Sequence, residues 1–245
     1  MNNYIVGRKP VLEALKHGVP IQKIFLAHGG HGEILQQLRY LAKQRGVPVS
    51  EVNKEKLHEL SPETLHQGVI AITSTTREYE IENLLEIPVL KKEAPYFVIL
   101  DGIEDPHNIG AIIRTAECAG VHGIILQKHH SPPLNETVIK ASAGAALHLP
   151  IARVTNIAQT IDLLKQHGCW IVGTAVDAEK KYFELDFTMP LAIVIGSEGR
   201  GMRRLVKEQC DFLIRIPLRG SLDSLNASVA SALVLFEVSR YRKTL

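Results

Sequence analysis

The sequence predicts an α/β protein in two parts, a small α/β unit followed by a larger α/β domain on a mostly parallel sheet. Three observations carry this. The first stretch alternates short β-rich runs with helical ones, the pattern of helices laid on a sheet. The later runs YFVIL, GIILQ, CWIVGTAV, LAIVIG and FLIRIP are apolar and β-branched with little alternation, as expected of strands buried on both faces. The chain has 245 residues, enough for one large domain or two modest ones, since domains mostly run to roughly 100–200 residues.

In chain order, YIVG, KIFLA, VPVSEV and GVIAITS read as strands, and PVLEALKHG, GEILQQLRYLAKQRG and KEKLHEL as helices. Together they make a first domain over residues 1–75. Its helix at 32–45 places Ile34, Leu35, Leu38 and Leu41 on one stripe and leaves Arg39, Lys43 and Arg45 elsewhere. Residues 1–75 carry nine Lys or Arg against six Glu, a mild basic bias that suits either a solvated face or a nucleic-acid site.

Residues 76–94 lack sustained periodicity, mix charges and contain Pro88, so they read as a linker with at most short structure. Residues 95–245 then form the larger domain. Between its strands, Ile109, Ile112, Ile113 and Ala116 make one helical stripe that stops at Gly120. Near the end, Leu225, Val229, Ala232, Leu233 and Phe236 are expected to do the same, with Arg240, Arg242 and Lys243 at the helix end favoured by its dipole.

Composition excludes several classes. Hydrophobic residues are 45% and charged ones 22%, and no apolar run nears the ~18–20 residues of a membrane span. The start MNNYIVGRKPVLEALKHG has no apolar h-region, so a soluble, cytoplasmic protein is expected. Cys118, Cys169 and Cys210 are far apart and lack C-x-x-C spacing, which suits reduced thiols. There are eleven His, but His129 and His130 lie in KHHSPPL without H-E-x-x-H or other ligand spacing, so no metal is expected. The net charge of +2 is too small to identify a polyanion partner.

In open α/β sheets ligands bind beyond the carboxyl ends of the strands. Three such loops stand out. After YFVIL comes DGIEDPHNIGAIIRTAE, where Pro106 and Asn108 suit a turn and helix cap and Arg114 follows in the helix. After LAIVIG comes GSEGRG at 196–201, with glycines at 196, 199 and 201 that permit positive φ or close approach to a backbone. Its G-x-x-G-x-G spacing is neither that of a dinucleotide-binding turn nor a Walker loop, and Glu198 would repel a phosphate. After FLIRIP, Ser221, Asp223, Ser224, Asn226 and Ser228 crowd one helix start, more than capping requires. Ile216, Leu218, Leu222 and Leu225 nearby could hold a flat base.

Taken together, the N-x5-R of the first loop, IGSEGRGM and IPLRGSLDSLNASVA resemble the three motifs of the SpoU (TrmH) branch of the SPOUT RNA methyltransferases. YIVGRKPVLEAL and HQGVIA resemble the small RNA-binding domain of bacterial 23S ribosomal RNA guanosine-2′-O-methyltransferases. The resemblance implies a deep trefoil knot in the SPOUT domain, a ribosomal-protein-like fold for the first domain, and a homodimer. It further implies S-adenosylmethionine as cofactor and ribosomal RNA, most plainly 23S, as partner, with a ribose 2′-hydroxyl as methyl acceptor. Carried over by motif, Gly196, Gly201, Ile216, Leu218 and Leu225 should contact the cofactor, while Asn108, Arg114, Glu198, Ser224 and Asn226 should face the RNA and the methyl group. Ala227 and Arg200 depart slightly from relatives.

The resemblance gives the base role to Arg114, yet a guanidinium with a pKa above about 12 seldom yields a proton. Arg114 is therefore read as essential for holding an RNA phosphate and assisting deprotonation, with Glu198 the rival acceptor. Rival readings are a transfer RNA methyltransferase, a non-catalytic ribosome-binding protein and a nicotinamide oxidoreductase, the last disfavoured by its turn spacing.

Overall fold

The computed structural model describes residues 3–62, 66–73, 78–129 and 131–242. They form two compact units, one of residues 1–77 and 133–148, the other of 78–132 and 149–245. His130 and Lys243, both named above, lie outside the described residues, as do 76 and 77 of the expected linker.

In the first unit the elements are β1 (Asn3–Val6), α1 (Arg8–Lys16), β2 (Ile21–Ala27), α2 (Glu33–Gln44), β3 (Val49–Val52), α3 (Lys54–Leu60) and β4 (Val69–Thr73). The sheet order is β1-β4-β2-β3, with β4 antiparallel to both neighbours and β2 parallel to β3. Val11, Leu12, Ala14 and Leu15 of α1 and Leu35, Leu38 and Ala42 of α2 are buried, while Ile34 and Leu41 of the expected stripe are only half-buried. Asn53 caps α3 by accepting the Lys56 N–H at 3.1 Å, which satisfies one of the donors a helix start leaves open.

Residues 133–148, placed by sequence in the larger domain, join this unit instead. Their helix α6 (Glu136–Ala141) buries Val138 and Ile139. Ser61 Oγ donates to Glu136 Oε2 at 2.7 Å, and the His17 and His148 rings stack with centroids 3.7 Å apart. No local periodicity encodes this pairing, because Glu136 meets a residue 75 positions away.

The second unit contains β5 (Glu78–Tyr79), α4 (Ile81–Lys91), β6 (Tyr96–Asp101), α5 (Pro106–Cys118), β7 (Gly123–Gln127), β8 (Ile151–Val154), α7 (Ile157–Gln166), β9 (Trp170–Thr174), β10 (Lys180–Lys181), β11 (Leu191–Gly196), α8 (Arg204–Glu208), β12 (Phe212–Arg215) and α9 (Ala227–Tyr241). Its eight strands are ordered β10-β12-β9-β11-β6-β7-β8-β5, and every pairing is parallel. β6 and β7 are buried throughout and β11 nearly so, as their unalternating apolar runs require. From β6 the chain moves to β7 and β8 on one side, while β11 is followed by β12 on the other. The crevice beyond Asp101 and Gly196 is thus a topological switch point, where open sheets bind ligands.

Two expectations change. Within the expected linker, α4 is an 11-residue helix whose Leu84 is fully buried, so near a Cβ placed on Gly123 that it would lie 2.7 Å away. The α9 stripe is also displaced. Val229, Leu233 and Phe236 are exposed, and the helix buries Ala227, Ser231, Val234, Leu235, Val238 and Ser239. Serines enter because their hydroxyls turn back onto carbonyls, Ser231 onto Ala227 and Ser239 onto Ala119 and Leu235. The buried face mixes small Ala227, Ser231 and Ser239 with Val234, Leu235 and Val238, and α9 packs on α5.

At the foot of the sheet Arg242 donates to the carbonyls of Ala94, Pro95, Phe187 and Met189 at 2.7–3.2 Å, beyond the dipole role expected of it. Burial pushes the Cys169 thiol up to about 11 and that of Cys210 to about 12, so both are kept as thiols. No described helix is long and apolar enough to cross a membrane.

Candidate functional site

The site is built from the three loops at the carboxyl ends of β6, β11 and β12. Asp105, and not Asn108, caps α5: its Oδ1 accepts the His107 N–H at 3.0 Å. That corrects the cap assignment and frees the Asn108 amide. Asn108 Nδ2 donates to Glu198 Oε1 at 3.0 Å. Because a carboxylate only accepts, this bond fixes the orientation of the amide and points Asn108 Oδ1 at a second donor. The donor is Asn226 Nδ2, at 2.9 Å.

Asn226 works on both sides of its amide. Its Oδ1 caps α9, accepting the N–H groups of Ser228 and Val229 at 2.9 and 3.3 Å and the Ser228 hydroxyl. Its Nδ2 also donates to Glu198 Oε1 at 2.5 Å. The Ala227 N–H, in the first turn of α9, reaches the same oxygen at 3.1 Å. Glu198 Oε1 thus receives three donors at a helix start, where the partial positive charge favours an anion. Its Oε2 makes no hydrogen bond among the described residues, and Glu198 lines a cavity of about 290 Å³. Gly102, Ile103, Glu104, Asp105 and Asn108 line it from one loop, Ser197 and Arg200 from the next, and Ala227 from α9. That volume is near the small end of ligand sites.

The glycine loop closes on itself. Ser197 and Gly201 exchange backbone bonds at 3.1 and 2.9 Å, and Gly199 and Gly201 have φ of 77° and 67°. A Cβ on Gly196 would stand 2.3 Å from the Gly201 carbonyl carbon and the Met202 nitrogen, closer than atoms can pack. The turn itself therefore demands Gly196, whether or not a ligand comes near.

Beyond β12, residues 216–225 have no regular structure, and among the described residues their peptide groups make no backbone hydrogen bond. Leu218, Leu222 and Ser224 are exposed and Ile216 and Leu225 half-buried. Ser221, Asp223 and Ser224 make no side-chain hydrogen bond among the described residues, so the surplus of polar groups is unused by the fold.

Arg114 stands apart. Six residues after Asn108, it lies roughly 120° around α5 and roughly 9 Å along it. It is exposed, does not line the cavity, and its side chain makes no hydrogen bond among the described residues. The structure brings together Asn108, Glu198 and Asn226, and separately Gly196 and Gly201. Sequence reasoning missed Asp101 and Arg203: the fully buried Asp101 carboxylate accepts Arg203 Nε and N–H at 2.6 and 2.7 Å. Its signal, a lone Asp ending an apolar strand, is too common to single out. No group of three or more potential metal ligands comes together among the described residues.

With this geometry in view, comparisons with known proteins have a clear outcome. The SpoU rRNA Methylase family matches residues 95–236. The chain belongs to that family. SpoU membership makes it an RNA methyltransferase, and a second family, described as RNA 2′-O ribose methyltransferase substrate binding, matches residues 4–79. A protein of Bacillus subtilis named as a TrmH family tRNA/rRNA methyltransferase is 44% identical over 98% of this chain and 96% of its own length. One of Staphylococcus haemolyticus, named alike, is 46% identical over 97% of this chain and 95% of its own. Among solved structures, the SpoU methyltransferase AviRb of Streptomyces viridochromogenes in complex with AdoMet aligns with a TM-score of 0.83 at 26% identity, covering 100% of this chain and 92% of that one. An AdoMet-bound rRNA methyltransferase of Sinorhizobium meliloti aligns at 0.81 and 28% identity, over 98% and 87%.

Proposed function

We propose that this SpoU methylase transfers a methyl group from S-adenosylmethionine to a ribose 2′-hydroxyl of RNA, most plainly a guanosine of 23S ribosomal RNA. The observation that carries the reading is the convergence of Asn108, Glu198 and Asn226, one from each motif loop, beside the switch-point cavity. The AdoMet-bound neighbours support the cofactor, and the substrate-binding family match at 4–79 supports RNA as the partner.

The residues present fit that cofactor. An adenine and its ribose need several neutral donors and acceptors with apolar cover, which the unpaired peptides of 216–225 with Ile216, Leu218 and Leu225 offer. A sulfonium is favoured by a nearby carboxylate, which Glu198 supplies. When bound, the cofactor supplies an electrophilic methyl group. The chain's task is to align the attacking oxygen, worth several kcal/mol, and to help remove its proton, worth on the order of 10²- to 10⁴-fold.

Glu198 is one acceptor, through the Oε2 that the network leaves open. Arg114 holds a neighbouring RNA phosphate and assists deprotonation, and Ser224 lies on the RNA side. Gly196 and Gly201 present their loop to the cofactor. Homodimerisation belongs to the same reading, and the exposed Val229, Leu233 and Phe236 on α9 support it as an apolar stripe at helical spacing. So do the knotted carboxyl end and the ribosomal-protein-like first domain implied by the resemblance. The test is RNA with a 2′-deoxy nucleotide at the target position: labelling from methyl-labelled cofactor should stop, and continued labelling would move the reaction to a base atom. Mapping 2′-O-methyl sites in ribosomal and transfer RNA from cells with and without the protein decides between the two RNAs.

A further inference from the structure

The Glu198 turn is pinned at both ends by a single residue that lies outside the cavity lining. On one side Gly196, which opens the turn, pairs in register with Asp101 across the parallel β11 and β6 strands. On the other, the Asp101 side chain reaches the exit of the turn: Oδ2 accepts the Arg203 N–H at 2.7 Å, Oδ1 accepts Nε at 2.6 Å, and Nη2 of the same arginine stands in ion-pair contact with Oδ1 at 2.6 Å. Asp101 is 0% exposed and the Arg203 side chain 47% exposed. A buried carboxylate held by two hydrogen bonds and an ion pair from one partner is a rigid anchor, and removing the partner's side chain leaves it short of bonds.

We propose that Asp101 and Arg203 are positioning residues for methyl transfer, clamping the 197–202 turn so that Glu198 meets Asn108, Asn226 and the Ala227 N–H. This rests on the functional reading above. Neither residue reaches the reacting atoms. Their effect passes through the turn, whose own closure between Ser197 and Gly201 fixes its shape but not its height above the sheet.

Because Asp101 is sealed in, its substitution risks unfolding, so the variants are placed on half-exposed Arg203. Arg203→Ala should lower kcat on the order of ten- to a hundred-fold, the scale of a displacement near 1 Å. KM for S-adenosylmethionine should rise by less than kcat falls, since only part of the proposed cofactor surface lies on the turn and the rest at 216–225. Arg203→Lys, which can reach one Asp101 oxygen, should recover part of the loss. In protein labelled with ¹⁵N at asparagine, the side-chain amide signals of Asn108 and Asn226 should move in Arg203→Ala and return toward wild type in Arg203→Lys.

Unmoved amide signals, even with a lowered Tm, would reduce the pair to a stabilising contact and overturn the proposal. So would an unchanged kcat. If wild type itself transfers no methyl to RNA while the amide signals still depend on Arg203, the clamp stands and the functional reading falls.

Discussion

Asn108 and Asn226, 118 residues apart, join side chain to side chain at 2.9 Å and share one oxygen of Glu198. The bond ties the first turn of α5 to the cap of α9 at the mouth of the sheet. Two amides and a peptide N–H converging on one carboxylate oxygen leave the other as the open acceptor of a residue that lines the cavity.

Replacement of Glu198 by Ala removes that acceptor and strands both amides. Methyl transfer should fall on the order of 10²- to 10⁴-fold if Glu198 takes the proton, and by far less if it only orients the amides. Single-turnover rates with saturating RNA and cofactor separate the two.

Arg114→Ala should abolish methyl transfer while calorimetric affinity for S-adenosylmethionine stays near that of wild type, because the side chain lies off the cavity. A near-normal rate would end its proposed role.

A charge on the exposed face of α9 tests the assembly. Leu233 and Phe236 are 40% and 39% exposed on the same face as Val229. Leu233→Asp should turn a dimer into a monomer in sedimentation while the chain keeps its fold by circular dichroism, since the position is already wet in the single chain. A variant that sediments as wild type would remove this face from the interface.

Gly196→Ala should lower stability by about 1–3 kcal/mol, because the new methyl group meets backbone and no side chain can yield. Denaturant melts measure it, and a neutral result would contradict the closeness of the turn.

Acid should weaken the second unit through His122. Its imidazole is 2% exposed; Nδ1 accepts the Tyr96 N–H at 3.1 Å, so Nε2 carries the proton toward Glu93 at 2.9 Å. Burial holds its pKa below the usual range, Lys91 and Arg242 push the same way, and Glu93 opposes them. The fold thus prefers the neutral ring. Its contribution is complete above the unfolded value of about 6.5 and is lost as pH falls through the lower folded value. Tm should drop from pH ~7.5 to pH ~5.5, and less steeply in His122→Gln.

Much of this was legible in the residues. The unalternating runs at β6, β7 and β11 read as strands buried on both faces, and the three motif loops already named Asn108, Glu198 and Asn226. Local chemistry determines such things: apolar period, caps and glycine spacing act over a few residues, and a family pattern is written along the chain. Tertiary structure alone decided which face of the nearly all-apolar α9 is buried, that 133–148 joins the first unit, and that Asp101 grips Arg203 102 residues away. Each depends on what arrives from far along the chain. A helix apolar all round has no preferred side until a neighbour such as α5 approaches, and a lone aspartate has no partner until the strands pair.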